Sequence, residues 1–303
     1  MIWGTDLLSF GIKTSQMGLT YAEILDTWRA ADAVPAFSHA WLWDHMVPLR
    51  GPVEGAALEA WTLLAALAAQ TSRLRLGVIV TSNRLRSAPL LAKMAATVDA
   101  IAGGRLVFGI GAGGSRVAGP NPAIREFEAY GMPLVSPGEA VRDLTESLTV
   151  IRRLWTEPEP FDFSGPTLNL RGAVCEPKPV QKPYPPIMIG GSGPRMLRVV
   201  AQYADIWNYP GPPDAEFRRR DAILTSHCDA IGRDPATITR SMQIVVRAAQ
   251  PDAAAATRAA LLDMIDAGVR HIVLAAVLDG RPLAWLVDEI VEPVRAEAGA
   301  PAA

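Results

Sequence analysis

The chain has 303 residues, half of them apolar, and a formal charge of −2 at pH 7. That length suits two ordinary domains or one α/β barrel, and the near-neutral balance gives no electrostatic case for nucleic acid or an anionic membrane. Two cysteines cannot make a disulfide scaffold, the longest apolar run (Leu63 to Ala69) is far short of a bilayer span, and no signal peptide is visible, so a cytoplasmic protein is expected.

Phe10 to Thr14 reads as a first strand. Thr20-Tyr-Ala-Glu23 is a capping box opening a helix with Ile24, Leu25 and Trp28 on one face. Ala40 to Trp43 is a second strand ending in Asp44-His45, and Leu58 to Gln70 is a helix. Leu74 to Val80, short and rich in Leu and Val, reads as a third strand buried on both faces. Pro89 lies in the first turn of the next helix, where its missing N–H costs nothing. Leu91, Met94, Val98 and Ile101 recur at three- and four-residue steps as its apolar face, and Gly103-Gly104 ends it. Leu106 to Ile110 is the fourth strand, completing a right-handed βαβ unit.

Residues 114–135 read as an irregular functional or mobile loop. Ser136-Pro-Gly-Glu139 is a second capping box, before a helix lined by Leu144, Leu148, Ile151 and Trp155. Phe161 to Ala173 reads as a hairpin turning at Ser164-Gly165-Pro166, and residues 114–186 together as an insertion. Strands at Ile187–Ile189, Asp205–Asn208, Ile238–Val246 and His271–Ala275 then alternate with helices at Pro194–Gln202, Ala215–Ile231, Ala253–Ala267 and Leu283–Val294. Eight strand–helix pairs predict a single (β/α)8 TIM barrel over residues 1–296, with insertions after strand four and a flexible tail at 297–303.

Such a barrel carries its site at the C-terminal ends of its strands. There the chain delivers Lys13, Thr14 and Gln16; Trp43, Asp44 and His45; Thr81 and Asn83; Gly111, Ala112 and Gly113; Gly190, Gly191, Ser192 and Gly193; and Trp207 with Asn208. A glycine-rich, aromatic mouth with one histidine suits a large, flat, partly anionic ligand approached by backbone amides. Gly190 to Gly193 run from a buried strand straight into a helix, whose first-turn N–H groups bind anions; a capped tight turn explains the same residues. Gly109-x-Gly111-x-x-Gly114 matches a dinucleotide fingerprint in letters only, because Pro120 and Pro122 stand where its helix would begin. Close approach of backbone to a planar ring is the better use of these glycines. His45 can donate a hydrogen bond or a proton to a substrate; a helix cap beside a surface histidine is the competing reading. His39, His227 and His271 read as structural, and no residue spacing fits a metal site.

Several segments then stand together in one order: Trp43-Asp44-His45, Leu76-Gly77-Val78 with Thr81 and Asn83, Leu91 to Asp99, and Gly103 to Leu106 with Gly109-x-Gly111-Ala112-Gly113. Cys175 to Gln181 and Pro186-Ile187 through Gly190-Gly191 to Trp207-Asn208 continue it. Over residues 8–210 the chain thereby resembles the luciferase-like flavin and deazaflavin oxidoreductases, and Asp44-His45 resembles their F420-dependent branch. The resemblance implies F420 or FMN bound at the strand C-termini, a small-molecule substrate, and usually a homodimer. It implies His45 near the reacting face and Asp44 orienting that histidine or binding the ring's polar edge. Val80, Thr81, Asn83, Gly111, Ala112 and Gly113 would hold the ring. Gly190, Gly191, Ser192 and Gly193 would hold the phosphate, and Trp43 and Trp207 would cover the ring or wall the substrate. It also implies a non-proline cis peptide bond near Ile79, Val80 or Thr81. Gly114-Ser115-Arg116 and Ser87-Ala88 depart from the family pattern on the substrate side. The expected activity is hydride transfer between F420 and a small organic substrate. FMNH2-dependent monooxygenation and cofactor binding without turnover are the alternatives.

Overall fold

The computed structural model describes residues 7–49, 51–113 and 122–299. The strands are β1 (Ser9–Lys13), β2 (His39–Leu42), β3 (Arg75–Val78), the short β4 (Thr81–Ser82), β5 (Leu106–Gly111), β6 (Phe161–Ser164), β7 (Asn169–Ala173), β8 (Ile187–Gly190), β9 (Ile206–Tyr209), β10 (Thr239–Arg247) and β11 (His271–Val277). Around the main sheet they run β3-β2-β1-β11-β10-β9-β8-β5-β4, all parallel, and β3 pairs back onto β5 with Leu76 opposite Leu106. That pairing closes the sheet. With β4 continuing the path of β3, it is the expected eight-stranded TIM barrel.

The helices α1 (Tyr21–Asp32), α2 (Ala60–Ala68) and α3 (Ala88–Ile101) follow the first three strand positions. Next come α4 (Pro122–Ala129), α5 (Pro137–Thr156), α6 (Pro194–Tyr203), α7 (Ala215–Asp229) and α8 (Ala253–Asp266). The chain closes with α9 (Ala284–Leu286), a π-helical turn at Val287–Val291, and α10 (Glu292–Glu297). Both capping boxes form, at Thr20/Glu23 and Ser136/Glu139.

Four expectations are corrected. The third strand is not continuous to Val80: it stops at Val78, the Ile79–Val80 peptide is cis, and pairing resumes at Thr81. On α3 the buried face is Leu91, Ala92, Ala95, Ala96 and Val98, while Ile101 is 44% exposed, because the small alanines are the side against which neighbours pack closely. Residues 114–186 are not all insertion, since α5 lies between α3 and α6 as a helix of the barrel's outer ring. The additions are α4 before it and the antiparallel β6–β7 hairpin after it. Of the tail, Glu297 still belongs to α10, and residues 300–303 lie outside the described residues, as do 114–121 of the loop.

Apolar layers lie on both sides of the wall. Inside, Trp41, Ile79, Val107, Met188, Ile206 and Val273 fill the barrel. Outside, Trp28, Trp61, Trp155 and Trp207 are fully buried between strands and helices. A buried indole N–H needs an acceptor. These four find Thr14 Oγ1 at 3.2 Å, Thr81 Oγ1 at 3.1 Å, Ala92 O at 3.0 Å and Gly191 O at 2.7 Å.

Arginine serves the opposite end of the barrel. Helices leave their last carbonyls unsatisfied. Arg73 donates to Ala31 and Asp32 O beside the end of α1, Arg105 to Ala68 and Ala102 O, Arg233 to Ala201 and Ala204 O, and Arg270 to Ile265 O. Stability is therefore built at helix C-termini and strand starts, which leaves the strand C-termini to chemistry.

Candidate active site

Trp43, Asp44 and His45 follow directly on β2. Gln16 fixes this turn by donating to Trp43 O at 2.7 Å and accepting from Trp43 N at 2.9 Å. A cavity of about 320 Å³ opens here, lined by Trp43, Asp44, His45, Val80, Thr81, Gly111 and Gly113 among the expected residues. Lys13, Glu126 and Phe127 complete its working face.

His45 is oriented by Glu126, not by Asp44. Its Nδ1 lies 3.0 and 3.2 Å from the two Glu126 carboxylate oxygens, and the Met46 N–H donates to Glu126 Oε2 at 2.9 Å. Glu126 is 1% exposed. An acceptor-only carboxylate assigns the proton to Nδ1 and leaves Nε2 as the second ring nitrogen for acid–base work. Asp44 is committed elsewhere: Arg86 grips both its oxygens at 2.9 Å, and the Ser82 N–H donates to it at 2.9 Å. Burial pushes the Asp44 carboxyl up, against the pull of Arg86. Arg86 also pairs with Glu59, which caps the start of α2.

The glycines admit a side chain. A Cβ on Gly111 would lie 2.9 Å from Val80 Cγ2, and one on Gly190 would lie 2.9 Å from the same atom. Val80 therefore occupies the space expected for the ring's closest approach to these two glycines, and it forms an apolar floor. Thr81 is fully buried, with its hydroxyl holding Trp61. Asn83 bonds Gly111 O through its backbone N–H at 3.0 Å and lines a different cavity, together with Arg84 and Thr167. Ala112 packs against the core cluster and is not part of the His45 cavity wall.

Gly190, Gly191, Ser192 and Gly193 connect β8 to α6, next to β5 but outside that cavity wall. Gly193 is the N-cap residue of α6, makes no side-chain cap bond, and is followed by Pro194. Such an end offers its first-turn N–H groups to an anion. Trp207 is corrected: it is no substrate wall. It points outward from the barrel, stacked on Phe217 at 5.7 Å and donating to Gly191 O. Strand alternation turns its neighbour Asn208 inward instead, where it bonds Ser241 and Gln243.

Lys13 ends β1 inside the cavity. Its ammonium donates to Gln243 Oε1 and sits 4.3 Å from the centre of the Trp43 ring. Burial pulls it down to about 8. Gln243 in turn donates to Asn208 Oδ1 at 2.9 Å, and Asn208 reaches Ser241 and, through it, His271. His271 stacks on His39 at 3.9 Å, a structural pair at the base of the barrel.

Sequence reasoning missed Glu126 and Arg86. Their partners lie 81 and 42 residues away, and no local pattern reports such pairings. The one available signal for α4 was the three-residue step from Ile124 to Phe127. Among the described residues, no group of three or more His, Cys, Asp or Glu is placed to hold a metal, and no helix is long and apolar enough to cross a membrane.

The luciferase-like monooxygenase family model matches residues 7–290. Curated relatives include the phthiodiolone/phenolphthiodiolone dimycocerosates ketoreductase of Mycobacterium sp. (strain JLS), 34% identical over 201 residues, covering 64% of this chain and 49% of the relative. That of Mycobacterium bovis is 36% identical over 193 residues, covering 62% and 47%. The chain spans about half the length of these relatives. An F420-dependent secondary alcohol dehydrogenase superposes with a TM-score of 0.80 at 18% identity, covering 95% of this chain and 99% of that one. The F420-dependent tetrahydromethanopterin reductase of Methanopyrus kandleri gives 0.76 at 17%, covering 95% and 100%. A monooxygenase of Streptomyces bottropensis gives 0.71 at 20%, covering 96% and 98%. At these identities the likeness establishes the fold.

Proposed function

Because the chain belongs to the luciferase-like monooxygenase family, we propose that it is an oxidoreductase that uses F420 to move hydride to or from a small organic substrate. The observation that carries this is the Glu126–His45 pair opening on the same cavity as the Val80 floor. The lining supports a planar ring: the floor is apolar, backbone at Gly111 and Gly113 forms one edge, and α6, which follows the neighbouring strand β8, has an uncapped N-terminus. When bound, the deazaflavin supplies the hydride chemistry.

The chain's residues supply the rest. His45, held through Nδ1 by Glu126, passes a proton between Nε2 and the substrate oxygen. Asp44, anchored by Arg86 and Ser82, would hold the ring indirectly by fixing the Ser82 turn beside it, and the first turn of α6 would take the phosphate. Trp43 walls the substrate. The names of the curated relatives and of the alcohol dehydrogenase favour a carbonyl–alcohol couple. A second reading, an FMNH2-dependent monooxygenase, is favoured by the structural likeness to monooxygenases. Assembly as a homodimer belongs to the same proposal, and light scattering tests it.

Fluorescence titration of the purified chain with F420 and FMN side by side decides between the cofactors. Tight F420 and weak FMN binding supports hydride transfer; the reverse preference overturns it in favour of an oxygen-consuming FMN enzyme. His45→Ala then separates an enzyme from a binder, because only an enzyme loses rate while keeping affinity.

A further inference from the structure

Cations near the mouth come in two kinds. Arg84 pairs with Asp143 at 2.9 Å, and Arg86 with Asp44 at 2.9 Å. Lys13 has no such partner: among the described residues, no carboxylate lies within ion-pair distance of its ammonium. Its neighbours are the neutral Gln243 amide and the Trp43 ring face. An ammonium has three donors, and the Gln243 bond uses one. A desolvated cation without a counter-charge is costly, so its retention on a rigid strand end lining the cavity needs a use. Within the fold the ammonium satisfies only Gln243 Oε1, and the Gln243 amide nitrogen is separately anchored on Asn208 at 2.9 Å, so two of the ammonium's donors are left for a ligand.

We propose that Lys13 is a further ligand-binding residue of this site, donating from its ammonium to an electron-rich oxygen of the bound ligand. The inference rests on reading the cavity as a ring-and-substrate site. That oxygen has two sources: the substrate's reacting carbonyl, on which charge develops as hydride arrives, or the carbonyl edge of the cofactor ring. Trp43 and Gln243 both hold the ammonium, which pre-organises it for an incoming oxygen.

Lys13→Met keeps the aliphatic stem and removes the charge. The variant is compared with the wild type in three measurements: titration with oxidised and reduced F420, kinetics of F420H2 oxidation with a panel of simple ketones including acetone and cyclohexanone, and thermal melting. Unchanged F420 affinity with kcat/KM for the ketone lowered roughly 10- to 100-fold, as for loss of one charge-assisted hydrogen bond, assigns the substrate oxygen. F420 affinity lowered by a similar factor assigns the ring edge. In either case the variant melts at or above the wild-type temperature, because it no longer buries an uncompensated charge. A variant that melts well below wild type shows a structural role and overturns the proposal, as do affinity and kcat/KM both within twofold of wild type. If the wild type binds F420 but turns over none of the ketones, the affinity arm alone decides, and unchanged affinity overturns the proposal. If the wild type binds no F420, the cofactor reading fails and this inference with it; binding with an indifferent Lys13→Met fails this inference alone.

Discussion

His45 enters the cavity with one ring nitrogen already committed to Glu126, which makes its free nitrogen the place to look for acid–base chemistry. His45→Ala is expected to lower kcat by about 10²- to 10³-fold with F420 affinity retained, read by steady-state kinetics and titration on one preparation. Glu126→Gln keeps shape and loses the carboxylate. It should lower kcat about tenfold with F420 affinity unchanged, and Glu126→Asp should recover part of the rate. The Asp44–Arg86 pair makes a different demand. Arg86→Met leaves a buried carboxylate without its partner and should cost about 3–5 kcal/mol in urea unfolding. Adding Asp44→Asn to Arg86→Met should restore part of that loss; no restoration would mean that Arg86 acts mainly through Glu59.

At the scale of elements, the turn between β3 and β4 pushes Val80 against β5 and β8, and those strands accept it only where they carry Gly111 and Gly190. Gly190→Ala should displace Val80 and cost about 1–3 kcal/mol of stability together with cofactor affinity. Gly193→Ala, three residues on, meets no atom within 4 Å and has an N-cap φ of −64°, so it should cost only the preference of an N-cap for glycine over alanine, about 0.5–1 kcal/mol, and leave Val80 in place. Comparing the two melts separates close packing from mere glycine richness. The helix starts were legible because a capping box is complete within four residues: Thr20 with Glu23 and Ser136 with Glu139 needed nothing from elsewhere. The α4 segment was not legible, because its prolines and glycines hid one short helix. Its charged side chains find their partners across space, Glu126 on the His45 turn and Arg125 on Pro48 O.

Across the whole molecule, burial sets a pH limit on stability. Desolvation holds His271 down to about 3 and His39 well below the ordinary value, His271 adding to the effect on His39. Both are neutral in the folded barrel at neutral pH, while the unfolded chain takes up protons below about 6.5. Their contribution is therefore fully present above about pH 6.5 and is lost as pH falls toward the folded value. The urea midpoint should drop between about pH 7.5 and pH 5, with net proton uptake on unfolding; a flat profile would contradict the neutral pair.

What the sequence determined by itself was the barrel and the composition of its mouth. Strand and helix periods, capping boxes and strand-end residues are local quantities, and eight alternations leave few other ways to bury so much apolar wall. What only the tertiary structure decided was which of those mouth residues meet. Trp207 turned outward to Phe217, Asn83 to a neighbouring cavity, and Asp44 to Arg86, while Glu126 and Lys13 came to face His45 and Trp43. The direction of a strand-end side chain depends on register and on charges arriving from 42 or 81 residues away. None of those is a property of the residue's own neighbourhood in the chain.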